Sequence, residues 1–147
     1  MRTRATKERD TRSLVLQHTV RVYDGRVTYR LAIVVEVRDW LHDLRRTDRA
    51  SAILVGQAIT ALLEEGPSLG RPLVDRIKGS SLHNLKELRP GSGGTTEIRI
   101  LFIFDPARNV VLLVAGDKAG QWSTWYRDSI PVAEARYETY LKEKEES

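Results

Sequence analysis

Cysteine is absent from the 147 residues, which excludes disulfide scaffolds, CxxC redox centres and cysteine-rich zinc sites. Long apolar runs are absent too. The longest uninterrupted one is residues 110–115, against roughly 20 residues for a membrane helix, so neither a spanning segment nor a membrane partner is expected. The strong local enzyme signatures GxxxxGK(S/T), HExxH and GxSxG are missing, as is an EF-hand loop. His18, His42 and His83 lie far apart in sequence, so no metal site and no cofactor is expected. There is no internal repeat. No apolar segment follows the basic start, and acidic residues interrupt it, so neither a signal nor a transit peptide is expected and the chain reads as cytoplasmic.

What is present fits a globular chain, with 41% hydrophobic and 30% charged residues. A single core at this length can bury roughly two-thirds of the unfolded surface. The 24 Lys and Arg against 20 Asp and Glu give +4, but unevenly. Residues 1–30 hold eight basic and three acidic side chains, so they carry +5 and the rest −1. Within that remainder, residues 71–118 concentrate eight basic against five acidic residues, a local surface suited to an anionic partner.

The first 18 residues are expected to be a poorly ordered tail. Asp24-Gly25 between alternating β-prone runs predicts a hairpin whose second strand continues through Leu31, Ile33 and Val35. Helical spacing of Val37, Trp40, Leu41 and Leu44 predicts a helix over 36–46, and Asp48 is placed to cap a second one reaching Glu65, stopped by Gly66-Pro67. Residues 66–81 read as a loop. Strands are predicted over 82–89, 96–105 and 109–116, joined by short connections into an antiparallel meander. In the middle strand Ile98, Ile100, Phe102 and Phe104 form an apolar face for the long helix, leaving Arg99 on the opposite face. Pro131 is expected to open a last helix, striped by Val132, Ala133, Arg136, Tyr137, Tyr140 and Leu141. The fold class is therefore α+β: a small antiparallel sheet with two N-terminal helices on one face and a C-terminal helix.

Gly91-Ser92-Gly93-Gly94 joins two strands and opens no helix, so it reads as a hairpin loop rather than a phosphate cradle. The notable cluster is cationic: Lys86, Arg89, Arg99 and Lys118 on or beside the meander. Solvated sheet faces commonly carry such charges, but an arginine inside a long apolar strand needs a partner or a function. Trp122, Trp125 and Tyr126 follow directly. Two readings of these rings stay open, core packing or stacking on exposed RNA bases beside the cations.

An ordered set of segments carries a resemblance: Gly70-Arg71-Pro72-Leu73-Val74, Ile77-Lys78-Gly79, Asn84-Leu85-Lys86-Glu87-Leu88-Arg89, Glu97-Ile98-Arg99-Ile100-Leu101-Phe102 and Val114-Ala115-Gly116-Asp117-Lys118. Over about residues 29–145 the chain resembles the RelE/ParE superfamily toxins of bacterial type II toxin-antitoxin pairs, and more closely their HigB-like branch. The resemblance implies a RelE-like fold over 29–147, with 1–28 as an N-terminal extension. It further implies a ribosome-dependent mRNA endonuclease in which a ribose 2′-hydroxyl attacks the adjacent phosphate, neutralised by a cognate antitoxin of helix-turn-helix type. Arg99 and Arg89 would then clamp phosphate and transition-state charge, while Lys118 and Lys86 supply acid-base or electrostatic help. Lys78, His83, Trp122 and Tyr126 would contact RNA, Tyr126 as a stacking ring and His83 as a proton shuttle. Related toxins often carry two adjacent lysines where this chain has Asp117-Lys118. The alternatives are a ParE-like gyrase inhibitor or a non-catalytic binding module.

Overall fold

The computed structural model describes the backbone of residues 15–19 and the chain over 29–92 and 94–146. It is α+β. In chain order the elements are β1 (Val15–Thr19), β2 (Arg30–Val34), α1 (Val35–Thr47), α2 (Arg49–Glu65), a 3₁₀ turn (Gly66–Ser68), β3 (Val74–Arg76), β4 (Lys86–Leu88), β5 (Ile98–Phe104), β6 (Asn109–Asp117) and α3 (Trp122–Glu146).

The sheet is mixed rather than a pure antiparallel meander. Its order is β1-β2-β6-β5-β4-β3, and β2 runs parallel to β6, pairing Leu31 with Val110 and Ile33 with Leu112. Only the β4-β5-β6 portion has the expected antiparallel form. The parallel pair is tied by a long crossover, which local turn signals cannot reveal. Successive β2 residues Ala32, Ile33 and Val34 are all buried, as suits a strand with neighbours on both sides and covered faces. The expected tail is also corrected, since β1 pairs antiparallel with β2 from Val15 against Val34 to Thr19 against Arg30. The Asp24-Gly25 turn lies outside the described residues.

Both early helices follow their local signals. The Asp48 carboxylate accepts from the Ser51 amide at 3.1 Å and its hydroxyl at 2.6 Å, a side-chain N-cap. Val55, Ala58, Leu62 and Leu63 form the buried stripe of α2. The helix stops at Gly66, whose φ of 64° and contact with the Tyr29 ring admit no side chain. Residues 66–81 are not simply a loop, because β3 forms there and pairs with β4 as the far edge. The strand expected over 82–89 shrinks to Lys86–Leu88.

Both sheet faces are dry. Ile100 and Phe102 on one and Leu101 and Ile103 on the other are at most 1% exposed, so Arg99 lies on the opposite face as the alternation placed it, but that face is not the solvated kind that commonly carries such charges. A bulge between Leu101 and Phe102, facing Val114 and Leu112 respectively, leaves Leu113 unpaired. Arg136 of α3 donates to the Leu113 carbonyl at 2.8 Å, and Tyr140 donates to the buried Asp105 just after β5. These contacts lay α3 on the Arg99 face.

Pro131 does not open the last helix but lies well inside it. Its ring and Arg127, whose carbonyl loses its partner, are both exposed, so water can take the lost hydrogen bond. Of the expected stripe, Ala133, Tyr137 and Tyr140 are buried, whereas Val132 and Leu141 are exposed.

Candidate functional site

The cations converge because of strand parity. Register places Glu87 beside Leu101 and Arg99 beside Gly116, so alternate positions of β4, β5 and β6 share one face. Arg89, two residues beyond Glu87, joins them. Lys118 leaves the end of β6 on the same side, its amide donating to the Glu97 carbonyl at 3.0 Å. Asp117 fixes this corner by accepting from the amides of Glu97 at 2.9 Å and Ala119 at 3.0 Å. The chain then turns directly into α3, whose first turns return over the cluster. Gly116 allows that approach, since a Cβ there would lie 2.6 Å from Nε1 of Trp125.

At the centre is a buried carboxylate. Glu87 is 5% exposed, accepts from the Tyr126 hydroxyl at 2.6 Å, and lies 3.7 Å from Arg99 Nε and 3.8 Å from Arg89 Nε. Arg89 also reaches Asp75 at 3.5 Å. Arg99 gives one hydrogen bond to the Ile98 carbonyl, but its Nε is buried without one. Lys118 is completely buried, its Nζ has no hydrogen-bond acceptor, and it lies 3.1 Å from the centroid of the Trp122 ring and 5.5 Å from that of Tyr126.

These surroundings move two pKa values. Burial, followed by the neighbouring Arg99 charge, holds Lys118 below the ordinary lysine range, with Glu97 and Glu87 opposing. Burial, followed by the hydrogen bond and charge of Glu87, pushes the Tyr126 phenol up to about 12. Tyr126 is therefore a neutral hydrogen-bond donor near neutral pH, and Lys118 is the group whose proton is easier to remove than usual. Three cations face one carboxylate at the centre, an arrangement suited to binding an oxyanion and moving a proton beside it.

The structure thus brings together Arg89, Arg99, Lys118, Trp122 and Tyr126. It separates Lys86, which pairs with Phe102 on the opposite face and lies 5.3 Å from the Phe104 ring. Lys86 therefore cannot join this cluster, a correction that the three-residue spacing from Arg89 already contains. Lys78 and His83 are exposed between β3 and β4. No ion pair or hydrogen bond among the described residues ties them to the cluster. Their connection is held to α3 instead, where Glu134 accepts from the Ser80 hydroxyl and Ser81 amide at 2.7 Å each. Trp122 is 59% exposed, while Trp125 packs on Gly116 and meets Tyr126 edge to face at 5.2 Å. Sequence reasoning missed Glu87 as a site residue, although its alternation with Arg89 carried the signal. Among the described residues no group of three His, Asp or Glu side chains is placed to hold a metal, and no helix is long and apolar enough to cross a membrane.

The sequence belongs to a described family. The family model "Phage derived protein Gp49-like (DUF891)" matches residues 39–138, and the chain belongs to that family. Among curated proteins it is 44% identical over 132 residues to "Putative toxin HigB2" of Mycobacterium tuberculosis, covering 85% of this chain. It is 50% identical over 109 residues to "Putative toxin HigB3" of the same organism, covering 74% of this chain. The matches span 66% of the first relative's length and 90% of the second's. No solved structure matches.

Proposed function

We propose that the chain is the toxin of a type II toxin-antitoxin pair with a RelE-like fold, acting in the cytoplasm as a ribosome-dependent mRNA endonuclease. The observation that carries this reading is the convergence of Arg99 and Lys118. Each holds a buried nitrogen donor without an acceptor, in a chain whose relatives bear HigB toxin names. In the reaction a ribose 2′-oxygen attacks phosphorus and the bond from phosphorus to the 5′-oxygen breaks. The 2′-proton leaves to a base and the departing 5′-oxygen gains a proton, giving a cyclic phosphate and a 5′-hydroxyl. Arg99 and Arg89 stabilise the added negative charge, for which planar guanidinium forks are suited. Lys118, whose proton is loosened by burial and by Arg99, moves a proton at the reacting oxygens. Tyr126 and Trp122 offer ring faces to the flanking bases. The cognate antitoxin, of helix-turn-helix type, masks this face.

Expression in growing bacteria with mapping of mRNA 5′ ends tests the reading. Growth arrest with new ends inside translated messages is expected, and Lys118→Ala should lower cleavage by about 100-fold or more. Normal growth with intact transcripts overturns the proposal. Arrest that survives Lys118→Ala and Arg99→Ala and is accompanied by DNA damage points to gyrase instead.

A further inference from the structure

The most unusual feature of the cluster is how Lys118 is covered. Its ammonium has no accessible surface and no hydrogen-bond acceptor, yet the ring lying 3.1 Å from it belongs to Trp122, itself 59% exposed. On that side one indole is the layer outside the charge. A cation–π contact compensates an ammonium only partly for lost water, and Arg99 adds repulsion. The closed arrangement is therefore strained toward opening. Trp122 is the first residue of α3 and is mostly exposed, so its side chain borders open solvent into which it could swing.

We propose that Trp122 is a displaceable lid over an oxyanion site formed by Lys118 Nζ and Arg99 Nε, closed in the free protein and opened when a phosphodiester enters. This rests on the function proposed above and adds its regulation: the reactive lysine stays shielded until a substrate phosphate competes with the indole for it. The two donors lie on one sheet face at diagonally neighbouring positions, Arg99 opposite Gly116 and Lys118 two residues further along. An anion between them would supply the acceptors both lack. In the closed state the apparent affinity for an anion is lowered by the fraction of molecules that are open.

Binding of inorganic pyrophosphate to the purified full chain, measured by calorimetry, tests the lid without any base to stack on the ring. Trp122→Ala should bind about tenfold more tightly than wild type, with Trp122→Phe between them as a smaller cover. The truncated side chain is mostly exposed, so folding should be kept. Acetic anhydride labelling gives a second reading: Lys118 should react more slowly than exposed Lys78 in the wild type and approach it in Trp122→Ala. Equal pyrophosphate affinity of wild type and Trp122→Ala overturns the lid and leaves the proposed function standing. Absence of binding by either protein overturns the oxyanion site and the phosphate chemistry with it. A 2′-O-methyl dinucleotide, which cannot be cleaved, should compete with pyrophosphate for Trp122→Ala; failure to compete overturns the phosphodiester assignment.

Discussion

Replacing Glu87 by glutamine probes the centre of the cluster while keeping its shape. The amide oxygen can still accept from Tyr126, so the change removes charge and little else. The carboxylate lies 3.7 Å from Arg99 and 3.8 Å from Arg89, where each attraction is worth about 4 kcal/mol gross at an effective dielectric constant of 20. Desolvation offsets much of that, but the cost has already been met by the two arginines, and they remain when the carboxylate goes. Breaking a buried pair costs about 3–5 kcal/mol. The lower end, about 3 kcal/mol, is expected because Arg89 keeps 31% of its side chain exposed and has Asp75 as a second partner. For a chain of this size that is a fall of about 6–12 °C in Tm, read by calorimetry at neutral pH. A second reading comes from Tyr126. Its pKa is raised from the ordinary 10 to about 12, so its contribution to stability is complete below pH 10 and is lost as pH rises through about 12. Glu87→Gln removes the third cause of that rise, the carboxylate charge, and leaves burial and a neutral hydrogen bond in place of the charged one. The alkaline loss should therefore begin at lower pH, measurable by phenolate absorbance against a Tyr126→Phe blank. A Tm within about 2 °C of wild type would refute the assignment of Glu87 as the counter-ion of the cluster.

The same electrostatics predict that Lys118→Met raises stability by about 1–2 kcal/mol, since it replaces a buried ammonium without acceptors by an apolar chain of similar length. Thermal melting should show a higher Tm together with loss of RNA cleavage, and a lower Tm would mean that the ammonium is better solvated than its burial implies. Gly116→Ala would set a Cβ 2.6 Å from Trp125 Nε1 and should cost about 1–3 kcal/mol by overpacking. Denaturant unfolding checks it, and an unchanged midpoint would place Trp125 elsewhere than on Gly116.

Much of this protein is legible residue by residue. The α1 periodicity, the Asp48 cap and the Gly66-Pro67 stop are interactions within a few residues of each other, so composition and spacing suffice to read them. Arg89, Arg99 and Lys118 stand out for a similar reason: charged side chains in or beside apolar strands announce a cost that something must offset. Parity along β4 would even have divided Lys86 from Arg89 and joined Glu87 to it. The parallel pairing of β2 with β6 and the continuation of α3 through Pro131 were not legible, because each depends on partners far away in the chain or on which side faces water. So too with the chemistry. Sequence alone determined which cations were available and on which strands they lie. Only the tertiary structure decided that Glu87 neutralises two of them and that Trp122 closes over the third, because register and the fold-back of α3 set the distances between charges.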